Sequence, residues 1–222
     1  MNHFTKKDIL VFDFDGTIAD TFHHIIEISN LLSKEFNFNA IHPNDVERLK
    51  DMTSQEVTRY LGVPLLKVPL IVAKGRWQLH KSMDSVKPTE GLRELVHALK
   101  SLGYEIGILT SNSLKNVVTF LKNHDLDVFD FIRASSKVWE KSHGLDALMK
   151  DKGMDPREVI YVGDETRDIE AAQKAGIRVA AVSWGYNSSK ALLAHKPDYL
   201  IHKPEELLKV CSGSVNPAGD KP

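Results

Sequence analysis

The chain is expected to fold as an α/β protein, a doubly wound parallel sheet with an all-helical insert after its first strand. Three observations predict this. Apolar runs at residues 9–12, 106–109, 159–162 and 179–182 have the length and unbroken hydrophobicity of strands buried on both faces. Segments with helical spacing of apolar residues alternate with these runs. A long stretch after the first run, from Thr21 to about Ser85, shows helical spacing and no strand pattern.

In chain order, residues 9–12 form the first strand. Phe22, Ile25, Ile26, Ile28, Leu31, Leu32 and Phe36 then recur at helical spacing, and residues 37–43 read as a loop. Val46, Leu49 and Met52, then Val57, Tyr60 and Leu61, predict two short helices with a break near Thr53 and Ser54. Residues 66–83 predict another helix, with Pro64 and Pro69 near its start. Residues 87–91, Lys-Pro-Thr-Glu-Gly, turn the chain back to the sheet. Leu92, Leu95, Val96 and Leu99 form one helical face, ended at Gly103. The strand at 106–109 precedes a helix carrying Val117, Phe120 and Leu121. A short strand is expected at 129–132, and a helix carrying Leu145, Leu148 and Met149 ends at Gly153. A strand at 159–162, a helix at 169–175, a strand at 179–182 and a short strand at 199–201 complete the sheet. This predicts a core of residues 1–18 and 86–210, a helical insert of residues 19–85, and a flexible Gly-, Pro- and Ser-rich tail of residues 211–222.

With 222 residues, of which 42% are hydrophobic, the chain has enough apolar surface for a packed core and an insert. A formal net charge of -1 offers no electrostatic basis for binding nucleic acid or an anionic membrane. The lone cysteine, Cys211, excludes an intrachain disulfide and suits a reducing compartment, where it reads as an inert thiol near a frayed end. No apolar run approaches membrane-spanning length, and the first eight residues carry no apolar signal core. A cytoplasmic protein is therefore expected.

The chemistry concentrates where predicted strands end. Val11-Phe12-Asp13-Phe14-Asp15-Gly16-Thr17 sets two carboxylates two residues apart, just before a glycine that permits a sharp turn. A second acidic cluster, Gly163-Asp164-Glu165-Thr166-Arg167-Asp168, follows the run at 159–162. Acids at two strand ends of one parallel sheet converge on the crevice where such sheets bind ligands. Carboxylates brought together repel, so the set implies a divalent cation, and oxygen-only ligands favour Mg²⁺.

Taken in order, Asp13-x-Asp15-Gly16-Thr17, Thr110-Ser111-Asn112, Lys141 and Gly163-Asp164-x-x-x-Asp168 resemble the haloacid dehalogenase superfamily, in its phosphoglycolate-phosphatase-like type with an inserted helical cap. The resemblance covers nearly the whole chain apart from the last dozen or so residues. It implies a Rossmann-like core, a cap at residues 19–85, and a Mg²⁺-dependent phosphatase acting on a small phosphorylated metabolite.

The resemblance assigns roles by position. Asp13 is the nucleophile that forms an aspartyl-phosphate; taken alone, it would read as a strand-end Asp capping a turn. Asp15 is the general acid and then base, which requires an environment that keeps it protonated near neutral pH. Dehalogenases and phosphonate hydrolases of the family lack an acid at this position, so Asp15 favours phosphate ester chemistry. Ser111, with Asn112 beside it, would donate to a phosphoryl oxygen, and Thr110 competes for that role. Lys141 would hold the transferring phosphate. Its context, Lys-Ser-His-Gly, departs from the Lys-Pro of many relatives, and Lys137 is a rival four residues earlier. Asp13, the Asp15 main-chain carbonyl and Asp164 would bind Mg²⁺, with Asp168 acting through water or orienting the loop. Gly16 and Thr17 read as structural. Glu165 and Arg167 would pair with each other or with the cap.

Within the cap, His23, His24, Thr53, Ser54, Lys74, Arg76 and Trp77 are candidates for choosing the substrate, and Arg76 is the one assigned to substrate binding. Two rival functions share the constellation: a β-phosphoglucomutase-like phosphomutase, and a non-catalytic module that accepts or binds a phosphoryl group. The long insert and the second acid, Asp15, argue against the latter. The oligomeric state, monomer or dimer, and the identity of the substrate are not readable from the sequence.

Overall fold

The computed structural model describes residues 8–134 and 141–214. Strands β1 (Ile9–Phe12), β4 (Glu105–Thr110), β5 (Phe131–Ala134), β6 (Val159–Gly163), β7 (Arg178–Val182) and β8 (Tyr199–Ile201) form one six-stranded sheet. Its order is β5-β4-β1-β6-β7-β8, and every pair is parallel. The order reverses at β1, which has β4 on one side and β6 on the other, so their carboxyl ends open onto one crevice.

Burial follows the two-residue period of a strand. Leu10 and Phe12 of β1, Ile106 and Ile108 of β4, and Ile160 and Val162 of β6 face one core. Helices α5 (Leu92–Ser101) and α6 (Leu114–Asn123) cover that side through Leu95, Leu99, Val117 and Phe120. Ile9, Val11, Val159 and Tyr161 face the second core, under α7 (Lys141–Lys152) and α8 (Thr166–Ala175). Both layers are needed because the central strands are buried throughout.

After β1 the chain leaves the sheet and is mostly helical until it returns. A two-residue strand β2 (Ala19–Asp20) leads into α1 (Phe22–Phe36), α2 (Val46–Lys50), α3 (Ser54–Tyr60) and α4 (Val68–Ser82), and the chain returns through β3 (Lys87–Pro88). β2 and β3 pair antiparallel, so entry to and exit from the helical segment lie side by side. The predicted break near Thr53 is a capping box: the Thr53 hydroxyl accepts from the Glu56 amide, and the Glu56 carboxylate accepts from the Thr53 amide. Helix α1 ends at Asn37, in the left-handed conformation expected one step past a helix.

Several elements differ from expectation. Ala19 and Asp20, assigned to a wholly helical insert, pair as strand β2. The strand expected at 129–132 is β5, two residues later; Phe129 instead packs edge-on against Phe12 as part of the turn into it. Two six-residue helices, α9 (Ser189–Ala194) and α10 (Glu206–Cys211), were not anticipated. Cys211, expected to begin the tail, is the last residue of α10, packed against the core. The rest of that tail from residue 215, and the rival Lys137, lie outside the described residues.

Candidate active site

The crevice at the sheet switch point gathers the acidic motifs. Asp13 follows β1 directly, and its amide donates to the Val162 carbonyl of β6 at 2.8 Å, which locks the two strand ends together. One Asp13 carboxylate oxygen accepts from the Phe14 amide at 2.8 Å. The other accepts from Lys141 Nζ at 2.5 Å. Lys141 opens helix α7 and also donates to Asp168. Its ammonium lies 5.6 Å from the Tyr161 ring centroid. Burial would lower its pKa, but the Asp13 and Asp168 carboxylates outweigh burial and hold it well above the usual lysine range.

Asp13, Asp164 and Asp168 are all buried, and each offers one carboxylate oxygen within 4.8 Å of the others. Burial pushes the Asp13 carboxyl up to about 7, opposed by Lys141, and pushes Asp164 well above the carboxylate range, reinforced by Glu165, Asp168 and Asp13. Three crowded buried acids with oxygen donors only are the donor set of a hard divalent cation. Their positions are fixed from outside the cluster. Asp164 accepts from the Thr17 hydroxyl and from the Tyr186 amide, each at 2.7 Å. Asp168 caps α8 by accepting from the Glu165 amide at 3.0 Å. The backbone also comes very close: a Cβ at Gly185 would fall 2.1 Å from Asp164 Oδ2.

Asp15 stands apart from the three clustered carboxylates. Its two oxygens lie 3.1 Å from the Asn112 side-chain nitrogen. Burial pushes its carboxyl up to about 6, opposed by the Asn112 hydrogen bond and by Lys141. The Asn112 side-chain oxygen accepts in turn from the Asn116 side chain at 2.9 Å, and Asn116 meets His80 at the end of α4. Thr110 is buried, with its hydroxyl accepting from the Asn112 amide at 2.9 Å. Ser111, by contrast, is partly exposed in the wall of a cavity it shares with Asp15.

That cavity, of about 410 Å³, lies between the sheet crevice and the four helices of the insert. Arg76 lines it; burial lowers its pKa while the charge of Asp15 works in the opposite direction. Ser54 donates to Glu165 at 3.1 Å, and Glu165 also pairs with Arg167. Glu165 therefore takes both of its expected partners. Of the other cap candidates, Thr53 caps α3, His24 meets Ser85, Lys74 pairs with Glu35, and Trp77 stacks under Lys81. His23 is exposed on α1.

Sequence reasoning missed the loop after β7. Tyr186 holds Asp164 through its amide and Thr21 through its hydroxyl at 2.7 Å. Asn187 donates to the Lys50 and Met52 carbonyls at 3.0 and 2.8 Å, tying this loop to the end of α2. The signal was the same one used elsewhere: Gly185-Tyr186-Asn187 closely follows an apolar strand. Thr17, read as structural, donates its hydroxyl to Asp164.

Residues 10–182 match the family model described as haloacid dehalogenase-like hydrolase. The chain is 32% identical over 201 residues to a phosphoglycolate phosphatase of Synechococcus elongatus, covering 90% of this chain and 95% of that protein. It is 31% identical over 221 residues to the pyrophosphatase PpaX of Bacillus cereus, covering 93% and 97%. Among solved structures, a predicted phosphatase from Clostridium acetobutylicum superposes with a TM-score of 0.80 at 20% identity, over 94% of this chain and all of that one, a likeness of fold. The crevice at the β1 switch point, its three gathered aspartates and a family match spanning the sheet from β1 to β7 lead to one conclusion: the chain belongs to the haloacid dehalogenase-like hydrolases.

Proposed function

We propose that the protein is a Mg²⁺-dependent phosphatase that hydrolyses a small phosphate monoester through an aspartyl-phosphate on Asp13. The observation that carries this reading is the pairing of Asp13 with Lys141 at 2.5 Å beside Asp164 and Asp168, with Asp15 held separately by Asn112. The related phosphoglycolate phosphatase supports a small phosphorylated substrate. Residues 1–18 and 86–210 are the catalytic core, and residues 19–85 are the cap that closes over the site.

Asp13 and Asp164, with the Asp15 carbonyl, would hold the ion, and Asp168 would orient the loop. When bound, Mg²⁺ neutralises the repulsion between an anionic nucleophile and an anionic ester. In the first step an Asp13 oxygen attacks phosphorus, and the bond to the leaving oxygen breaks as Asp15 passes its proton to that oxygen. A carboxyl raised to about 6 by burial suits this exchange near neutral pH. In the second step Asp15 takes a proton from water, the water oxygen attacks phosphorus, and the Asp13–phosphorus bond breaks to release phosphate. Ser111 and Lys141 steady the transferring group, Lys141 from the side of Asp13.

The test is phosphate release from a panel of small phosphate esters, with Mg²⁺ and with EDTA, for the native protein and Asp13→Asn. Turnover that needs Mg²⁺ and is abolished in the variant is expected. Turnover surviving in Asp13→Asn would exclude the aspartyl-phosphate route. A hexose phosphate returned as its isomer, without free phosphate, would point to a mutase instead.

A further inference from the structure

The cavity beside Asp15 continues well beyond the charged crevice, into the interior of the helical cap. Its charged lining is confined to the neck: Asp15 from the core, Glu165 and Arg167 from the start of α8, and Lys50 and Arg76 from the cap, with Ser54, Ser111, Asn112 and Asn187 beside them. Those neck groups engage one another, Ser54 with Glu165 and Glu165 with Arg167. Past the neck the walls are mostly apolar, formed by Ile25, Ile28 and Leu32 of α1, Val57 of α3, and Ile71 and Val72 of α4, with Ser29 and Thr58 as the polar side chains among them. Of these six, only Leu32 is fully buried; the other five are partly buried, Ile25 and Ile28 packing on one side against the main core. The Thr58 hydroxyl in this region is turned inward onto the Ser54 carbonyl at 2.7 Å.

A helical lid with no ligand of its own would close such a space, because interiors pack to crystal-like density with few voids larger than a water. A space of about 410 Å³ instead has the size and lining of a ligand pocket, mostly apolar with its charged groups at one end. An anionic two-carbon leaving group would fill only its mouth and would leave the apolar walls uncovered.

We propose that the cap cavity is the leaving-group subsite and takes an apolar body, so that the preferred substrates are phosphate monoesters of alkyl or aryl alcohols of about four to eight carbons. The proposal rests on the phosphatase reading. It specifies which ester is cleaved, with water hydrolysing ROPO₃²⁻ to the apolar alcohol and phosphate. The phosphate sits at Asp13 and Lys141, the ester oxygen faces Asp15, and the carbon chain runs between α1 and α4.

The test uses the intact protein with Mg²⁺ and a homologous series from ethyl to hexyl. Non-hydrolysable alkyl phosphonates are titrated by calorimetry, and the matching alkyl phosphates are assayed for phosphate release beside phosphoglycolate and pyrophosphate. Each methylene that enters the cavity is expected to improve Kd and kcat/KM about three- to fourfold, on the order of a hundredfold across the series. Val72→Phe, which places a ring in the cavity, is expected to flatten that slope. A flat or falling slope in the native protein, a preference for phosphoglycolate or pyrophosphate over hexyl phosphate, or an unchanged slope in Val72→Phe would overturn the proposal. The two readings fail separately. Absence of phosphate release from every ester removes the phosphatase, while the phosphonate titration still decides what the cavity holds.

Discussion

Replacing Lys141 by Met removes the single ammonium that joins Asp13 to Asp168 while nearly conserving side-chain volume. The lysine side chain is only 8% exposed, and its partners Asp13 and Asp168 are 4% and 0% exposed. Water cannot replace it, so the variant buries carboxylates that have lost their main counter-charge. Breaking one side of such a pair costs about 3–5 kcal/mol. For a chain of this size, that corresponds to a fall in Tm of roughly 6–20 °C. The measurement is thermal unfolding in EDTA, with Lys174→Met as the control. Lys174 is exposed on α8, and its loss is expected to cost no more than about 0.5 kcal/mol. Adding Mg²⁺ is expected to recover more Tm in Lys141→Met than in the native protein, because the vacated charge is the one a cation at the aspartates would supply. Phosphate release should fall at least ~100-fold. A Lys141→Met protein with native Tm in EDTA would refute the electrostatic argument, since it would mean the aspartates do not depend on this ammonium.

Three further outcomes follow from the same geometry. Gly185→Ala puts a methyl 2.1 Å from Asp164 Oδ2, an oxygen already held by the Tyr186 amide, so the carboxylate must move; the Mg²⁺ concentration for half-maximal activity is expected to rise about 10–100-fold, and an unchanged value would show that Asp164 does not bind the ion. Asn187→Ala removes the side chain that joins the end of α2 to the β7 loop and to the Thr166 amide at 2.9 Å; a loss of about 1–3 kcal/mol in urea unfolding and faster tryptic cleavage at Arg48 and Lys50 are expected, and native cleavage rates would argue against a clasp there. Burial pushes the Cys211 thiol up to about 12; alkylation by iodoacetamide at pH 8 should be on the order of a thousandfold slower than in the urea-unfolded chain and should keep accelerating as pH rises towards 12, whereas equal rates would place the thiol in solvent.

Legibility in the sequence tracked burial. Strands β1, β4, β6 and β7 were readable because both faces of each are covered, so each is an unbroken apolar run ending abruptly in polar residues. Strand β5 was displaced by two residues because it lies at the sheet edge, half-exposed, with Val128 and Phe129 supplying apolar signal just before it. Helices α9 and α10 are under two turns long, too short for a 3.6-residue period to show. At the site, Asp13, Asp15, Asp164 and Asp168 stood out because acids rarely follow apolar runs. Asn116 and Asn187 did not, because polar residues within a helix or after a strand are usually solvated.

By itself, the sequence determined the alternation of strands and helices, the helical nature of the insert and the carboxylates at the strand ends, because each is written in neighbouring residues as periodicity or abrupt polarity. Only the tertiary structure decided how those groups divide their work. It brought Lys141 onto Asp13 across 128 positions of chain, turned the Thr110 hydroxyl onto the Asn112 amide while Ser111 stayed in the cavity wall, and set Asn112 against Asp15. It also left the cap hollow rather than packed. Local periodicity records how deeply a residue is buried, not which distant residue it is buried against, and the partner is what sets a carboxylate's charge and a cavity's shape.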